Sequence, residues 1–92
     1  NLRIEVETRN LDEVWQVLKT GRVDRIMLDN YSLEALREAV KVIDKQFETE
    51  ASGGVNLNTV KAIAETGVDF ISVGELTHSV KSLDLSFKAV VA

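Results

Sequence analysis

Four positions with chemical potential follow strand-like runs at a regular interval in this sequence. Glu7, Asp29, Ser52 and Gly74 lie 22, 23 and 22 residues apart (7 to 29, 29 to 52, 52 to 74). Carboxylates suit Mg²⁺, or accept hydrogen bonds from ribose hydroxyls. Glycine and serine at a strand end suit a phosphate, because backbone N–H groups can then approach it closely. The spacing predicts that all four positions lie at one height on the C-terminal rim of a sheet.

Glycine motifs follow two consecutive strand-like runs. Ser52-Gly53-Gly54 precedes a helix expected to be capped by Asn56, and Val73-Gly74-Glu75 repeats the arrangement before a short helix around Glu75–Val80 that contains His78. Two neighbouring strand ends of this kind are typical of the phosphate site of β/α barrels. The alternative for the first motif is a tight turn that needs positive φ at glycine.

The two carboxylates and the single histidine also have plainer explanations. Glu7 could form a salt bridge with a neighbour such as Arg25, and Asp29 could serve turn or cap chemistry with the residues that follow it. His78 near a phosphate would donate a hydrogen bond or a charge. A lone histidine on a helix is more often a surface or structural residue, so these alternatives stay open.

Alternating strand and helix patterns must position these residues. The predicted strands are Leu2–Thr8, Arg25–Asp29, Phe47–Ala51 and Phe70–Val73, with a last strand within the tail Leu83–Val91. Helices are predicted after caps at Asn10, Ser32 and Asn56, the first ending at Gly21 and the third at Gly67, and Trp15 is expected in the core. This order predicts an α/β fold of parallel β-α units, half of a TIM-like barrel with four β-α units plus a C-terminal tail strand.

One face of the predicted strands is charged, which is unusual for a parallel sheet. Ile26 and Leu28 exemplify the apolar face, whereas Arg25, Glu48 and Glu50 lie on the other. Parallel strands covered on both sides normally read as nearly continuous apolar runs. Either the charges pair with one another or stay exposed, or the face lines a polar barrel lumen that opens onto a ligand. The lumen is the favoured interpretation, because local rules tend to break at functional sites.

Composition excludes several classes of function. The net charge is −4, which argues against wrapping a nucleic-acid backbone, and there is no cysteine for a disulfide or thiolate metal site. No apolar run approaches a membrane span, so a cytoplasmic location is the expectation. The 92 residues are expected to form one partial α/β-barrel domain, 1–92, from a larger chain, because a complete barrel needs about 250 residues.

Several long stretches resemble quinolinate phosphoribosyltransferase, also called nicotinate-nucleotide pyrophosphorylase (carboxylating). They are IEVETRNLDEV, RIMLDN, EASGGVNLNTV and AETGVDFISVGELTHSVKSLDLSF, and they run nearly end to end. The resemblance covers about the last third of a family member. It implies a transferase of NAD biosynthesis that converts quinolinate and phosphoribosyl pyrophosphate into nicotinate mononucleotide, pyrophosphate and CO₂.

The resemblance also implies roles for individual residues. Glu7 and Asp29 would hold the ribose hydroxyls and Mg²⁺, and the 5-phosphate would be held by Ser52, Gly53, Gly54 and Gly74, with His78 nearby. The basic residues that grip the carboxylates of quinolinate, and the lysines near the chemistry, have no counterpart here. Glu75 replaces a residue that is usually small, and an acid beside a phosphate loop weakens anion binding somewhat.

Three interpretations follow. The chain is the phosphoribosyl-binding half of that enzyme, expected to be inactive alone and to belong to a homo-oligomer. Alternatively, it is a half-barrel module that associates with a second copy through its open sheet edges. As a third interpretation, it belongs to another sugar-phosphate-binding barrel enzyme, which the fold and glycine loops permit.

Overall fold

The computed structural model describes residues 3–83 and has a five-stranded sheet with helices on one face. The strands are β1 (Glu5–Thr8), β2 (Arg25–Asp29), β3 (Glu48–Ser52), β4 (Phe70–Val73) and β5 (Leu76–Ser79). The helices are α1 (Leu11–Thr20), α2 (Leu33–Ile43) and α3 (Val60–Ala64), and a single 3₁₀ turn spans Val80–Ser82. The strands lie in the order of the chain, and β1 to β4 are parallel. The predicted α/β fold with parallel β-α units is confirmed.

The first two helices begin, and the first one also ends, where their capping residues predict. The Asn10 side chain accepts a hydrogen bond from the N–H of Glu13 at 2.9 Å, and Ser32 accepts one from Ala35 at 3.1 Å. Gly21 ends α1 in the left-handed region, with φ of 66°. These side chains satisfy N–H groups that a helix leaves without partners at its start.

The core lies between the helices and the apolar face of the sheet. It consists of Val14, Ile26, Leu28, Leu36, Ala39, Ile43, Ala51, Val60, Ile63, Ala64, Val68 and Ile71. Ile26 and Leu28 are fully buried, as the strand alternation predicts. Trp15, expected in the core, is 50% exposed. That prediction was wrong because α1 is the first helix of the layer and, among residues 3–83, packs against a helix on one side only.

The fourth unit differs from the prediction, because a strand replaces the short helix around Glu75–Val80. β5 runs antiparallel to β4, and Val73 pairs with Leu76 across a two-residue turn. Gly74, the first turn residue, has a φ of 64°, which is the backbone conformation that favours glycine in tight hairpins. The predicted tail strand, apart from Leu83, lies outside the described residues.

The third helix starts later than predicted and is only five residues long. Asn56 makes the hydrogen bonds of a cap for the turn that leads into this helix: its side chain accepts the N–H groups of Asn58 and Thr59, and its carbonyl oxygen accepts the N–H of Val60 at 2.8 Å. Thr59 in turn donates its hydroxyl to the Gly54 carbonyl oxygen at 3.2 Å. Leu57 is 67% exposed in this loop. None of the helices within residues 3–83 is long and apolar enough to cross a membrane.

Candidate functional site

The ends of β2 and β3 bring three of the predicted site residues together. Asp29 pairs with Ser52 in the register of the sheet, and the Ser52 hydroxyl donates to the Asp29 carboxylate at 3.1 Å. The N–H of Asn30 donates to the Ser52 carbonyl oxygen at 2.8 Å, so the two strand ends are joined twice. The proposed turn or cap chemistry of Asp29 is not observed, because its carboxylate holds the neighbouring strand instead.

Gly53 lies directly against the neighbouring strand end. A Cβ atom at this position would lie 3.0 Å from the Asn30 backbone nitrogen and 3.2 Å from Oδ1 of Asp29. Its φ is 84°, and Asn30 itself has a φ of 60°, which asparagine tolerates better than most residues. The turn needs positive φ, as the alternative explanation of the motif predicts, and the adjacent backbone also needs the space.

The glycine loop offers backbone donors. Among the hydrogen bonds described for residues 3–83, none uses the N–H of Gly53 or Gly54, and the same holds for Gly74. Gly54 and Gly74 have left-handed φ values of 68° and 64°, and a Cβ at either would meet nothing within 4 Å. Exposed N–H groups in consecutive turn residues are suited to an anion. Since α3 begins only at Val60, the donors belong to the loop rather than to a helix end.

The four spaced positions do not lie at one height. Glu7 pairs with Met27, which is two residues before Asp29 on the same strand. Ala51 pairs with Ile71, so Gly74 lies two residues beyond the level of Ser52. Equal spacing along the chain does not give equal height, because the β1–β2 and β3–β4 pairs have a different register from the β2–β3 pair. Only Asp29 and Ser52 are level.

Glu7 lies on the charged face of the sheet and is exposed. The salt bridge suggested between Glu7 and Arg25 is not formed, because Arg25 pairs with Glu48 at 3.2 Å and with Glu50 at 3.0 Å. Glu7 takes part in no ion pair described for residues 3–83. Its carboxylate is therefore available to a ligand above the sheet.

His78 lies on strand β5 rather than on a helix. It pairs with the buried residue Ile71, and paired residues of antiparallel strands point to the same face. His78 therefore lies on the helix side of the sheet, whereas Asp29 and Ser52 lie on the charged side. The structure does not bring the histidine to the rim formed by β2 and β3.

The charged face carries a paired network, the first of the alternatives weighed for it. Glu50 is only 3% exposed, and its carboxylate accepts hydrogen bonds from Arg25 and from the hydroxyl groups of Ser72 and Thr77. The Arg25 guanidinium also stacks 3.7 Å from the centre of the Phe70 ring. Burial raises the pKa of Glu50, but hydrogen bonds from Ser72, Glu5 and Arg25 outweigh it, and the net pKa lies below its usual value.

Glu5 has the opposite pKa shift on the same face. Burial, together with its hydrogen bond to Glu50 and the negative charge there, raises the pKa of Glu5, while Arg25 and Arg3 oppose the rise. The two glutamates thus compete for the same positive charges, and the better-paired Glu50 keeps its ionised form more readily.

The carboxylates of Glu7 and Asp29 fit Mg²⁺ only as part of a site that waters and substrate phosphates complete. Within residues 3–83, no three His, Cys, Asp or Glu side chains come close enough together to hold a metal ion. Mg²⁺ is commonly bound by one or two carboxylates completed by waters and substrate phosphates. Asp29 uses Oδ1 for the Ser52 bond, which leaves Oδ2 for such a role, and Glu7 is exposed.

Two residues near the rim were missed by sequence reasoning. The Thr8 hydroxyl lies 2.8 Å from the Tyr31 hydroxyl, and Tyr31 also reaches the carbonyl oxygen of Asn10 at 2.9 Å. Thr8 is completely buried. A polar residue at a helix-facing strand position was the available signal, but nothing in the sequence identifies a partner 23 residues away.

Comparison with known proteins places the chain. A family model described as "Quinolinate phosphoribosyl transferase, C-terminal domain" matches residues 1–88. The chain is 50% identical over 99 residues to the chloroplastic nicotinate-nucleotide pyrophosphorylase [carboxylating] of Arabidopsis thaliana, covering 92% of this chain and 28% of that protein. It is 45% identical over 96 residues to a probable nicotinate-nucleotide pyrophosphorylase [carboxylating] of Methanocaldococcus jannaschii, covering 96% of this chain and 33% of the relative.

Solved structures agree with these sequence matches. The nicotinate-nucleotide pyrophosphorylase of Ehrlichia chaffeensis superposes with a TM-score of 0.75 at 40% identity, over 80% of this chain and 27% of the other. That of Francisella tularensis gives 0.75 at 41% identity, over 86% and 29%. The chain thus spans about a third or less of the proteins that it matches. It belongs to the quinolinate phosphoribosyl transferase family, to the C-terminal domain of that family.

Proposed function

We propose that this chain is the phosphoribosyl-binding part of a quinolinate phosphoribosyltransferase. The observation that carries the proposal is the junction of Asp29, Ser52 and Gly53, where a carboxylate and unused backbone donors meet at adjacent strand ends. A phosphoribosyl group needs both kinds of partner, since its hydroxyls donate hydrogen bonds and its phosphate accepts them. Relatives at 45–50% identity carry the names of this activity, which supports the same assignment.

Each group of residues has a role in the proposal. The backbone N–H groups of Gly53, Gly54 and Gly74, with the Ser52 hydroxyl, hold the 5-phosphate. Asp29 and Glu7 accept hydrogen bonds from the ribose hydroxyls and orient Mg²⁺, which would neutralise charge on the pyrophosphate when bound. His78 joins the phosphate site only through a change at β5, because it faces the helix layer here.

The whole reaction is proposed for the full-length protein rather than for these 92 residues. In that reaction, quinolinate and phosphoribosyl pyrophosphate give nicotinate mononucleotide, pyrophosphate and CO₂. Positioned donors and charges stabilise the transition state most when they are fixed before reaction. The chain supplies such donors for the phosphoribosyl side, and we expect no turnover from the 92-residue chain alone. Formation of nicotinate mononucleotide by the purified chain would contradict this expectation.

The test is calorimetric titration of the chain with phosphoribosyl pyrophosphate and Mg²⁺. Wild type is expected to bind saturably, and Asp29→Asn is expected to weaken binding about tenfold or more, because it removes the charge while keeping an oxygen for Ser52. Asp44→Asn is the matched control, since Asp44 is exposed and follows the C-terminal end of α2, at the opposite end of the β-α unit from the rim. Equal binding by Asp29→Asn and Asp44→Asn would refute the role of Asp29.

Self-association is proposed as a second property, and a homo-oligomer as the assembled form. The supporting observation is apolar exposure on the first β-α unit, where Ile4 is 48% and Trp15 is 50% exposed; within residues 3–83, β1 is the first strand in the order of the sheet. Analytical ultracentrifugation over a wide concentration range tests this property, and a monomer throughout would contradict it.

A cytoplasmic location is likewise proposed, although the plant relatives are named chloroplastic or mitochondrial.

A further inference from the structure

A pair of hydroxyl groups joins the two strand ends that carry the carboxylates. Thr8 follows Glu7 at the end of β1, and its hydroxyl lies 3.0 Å from the carbonyl oxygen of Met27 on β2. The same hydroxyl lies 2.8 Å from that of Tyr31, which is two residues beyond Asp29. Tyr31 also reaches the carbonyl oxygen of Asn10, the cap of α1. One contact chain thus links β1, β2, α1 and the loop after β2.

The two hydroxyl groups share their protons among three contacts. Each hydroxyl has one proton to donate. In one arrangement Thr8 donates to Met27 and Tyr31 donates to Asn10; in the other two, one hydroxyl donates to the other, which donates to its own carbonyl partner. Two of the three arrangements therefore include a hydrogen bond between Thr8 and Tyr31. Burial, more than the nearby charge of Glu13, raises the pKa of Tyr31 despite the Thr8 bond, so its proton stays in place at neutral pH.

The hydroxyl contact lies between the two segments that carry the carboxylates. Successive strand residues face opposite sides of the sheet, so Thr8 lies buried on the helix side while Glu7 lies on the charged face. Directly after β2, Asn30 has a φ of 60°, and the next residue, Tyr31, lies against Thr8. The contact therefore joins the end of β1 to the loop that follows Asp29.

We propose that Tyr31 and Thr8 are positioning residues that set the separation of the Glu7 and Asp29 carboxylates for one ribose. This inference rests on the proposed function. The Thr8 hydroxyl does not touch the ligand in it, because Thr8 is completely buried on the helix side. The phosphate donors of Gly53 and Gly54 follow β3, and neither residue takes part in the contact between Thr8 and Tyr31.

The experiment compares two probes by calorimetry in the 92-residue chain. Tyr31→Phe is expected to weaken binding of phosphoribosyl pyrophosphate with Mg²⁺ by about three- to tenfold, while binding of inorganic phosphate alone stays unchanged. Thr8→Val is expected to weaken this binding as much as Tyr31→Phe does, and the double variant is expected to bind no more weakly than either single variant. Thr8→Ser, which keeps the hydroxyl, is expected to bind with the wild-type dissociation constant. A purely structural role would lower the affinities for both probes together, and unchanged binding of phosphoribosyl pyrophosphate in Tyr31→Phe would overturn the proposal.

A second measurement decides the inference without a ligand. The chain contains no cysteine, so nitroxide labels can be placed specifically at Glu7→Cys and Asp29→Cys. The dipolar spectrum is expected to report a broader range of separations in Tyr31→Phe than in the background with Tyr31. An identical spectrum would overturn the proposal. If wild type binds neither probe, the proposed function fails by itself, and this spectrum still tests the positioning role.

Discussion

The first and second halves of the sheet hold their rim groups by different means. In residues 5–43, two capped helices and side-chain hydrogen bonds fix strand ends that carry carboxylates. In residues 48–79, the helix is short, the last connection is a two-residue hairpin, and the rim groups are backbone N–H groups of glycines with positive φ. Side chains can be re-aimed by one hydrogen bond, whereas backbone donors are set by φ and ψ. The two halves should therefore fail in different ways when mutated.

The largest effect is expected where the halves are joined, at Arg25. Glu50 is only 3% exposed, and Arg25→Met removes its main counter-charge. The variant should lower the free energy of unfolding by about 3 kcal/mol in urea titrations. Arg3→Met is the control, because Arg3 is 63% exposed and an exposed pair contributes under about 1 kcal/mol. Equal costs for the two variants would show that the halves are not joined through Glu50.

The next effect separates two adjacent glycines of the second half. Gly53→Ala should cost about 2 kcal/mol, because the new Cβ would meet the Asn30 nitrogen at 3.0 Å in addition to the positive φ. Gly54→Ala meets nothing within 4 Å and should cost about 1 kcal/mol for the left-handed backbone alone. Thermal unfolding measures both variants. A Gly53→Ala variant as stable as Gly54→Ala would mean that the β2 and β3 ends are not in close contact.

A smaller effect tests the side-chain caps of the first half. Ser32→Ala removes the acceptor for the Ala35 N–H and should cost about 1 kcal/mol. Ser32→Thr keeps an acceptor and should cost much less. Circular dichroism during thermal unfolding gives both values. If Ser32→Ala is neutral, packing rather than capping sets the start of α2.

The smallest effect is a pH dependence on the charged face. Because the pKa of Glu50 lies below its usual 4.5, its contribution is present above pH 4.5 and is lost as the pH falls through the lower folded value. The pKa of Glu5 is raised above 4.5, so its charge costs stability once the pH rises through that value. Glu5→Gln should therefore gain a few tenths of a kcal/mol at pH 7 and nothing at pH 4. Urea titrations at the two pH values would contradict this if the gain were equal.

The sequence predicted the first half better than the second, for local reasons. Asn10, Gly21 and Ser32 act on the backbone within a few residues of themselves, so their effects can be read along the chain. Asn56 also makes cap-type hydrogen bonds, but the helix that follows its turn is only five residues long. The segment after Gly74 is too short for periodicity to separate helix from strand, and the hairpin conformation of Gly74 decided it.

The relative placement of the candidate site residues was only partly predicted from the sequence. Asp29 and Ser52 were placed correctly beside each other because their strands pair with the offset that the spacing assumed. Glu7 and Gly74 were not level with them, since the register between parallel strands is set by packing and not by chain length. The Thr8–Tyr31 contact depends on both register and the turn at Asn30, so no local pattern reveals it.

The sequential order of the sheet has a consequence for how the chain acquires its structure during synthesis. Every strand pairs with the next one along the chain, with partners such as Glu5 and Arg25 or Arg25 and Glu48. Contacts between neighbours in sequence close small loops, which cost little entropy and form early. Each strand can therefore dock as it leaves the ribosome without waiting for a distant partner. A nascent chain that stops after β3 would already contain the junction between Asp29 and Ser52.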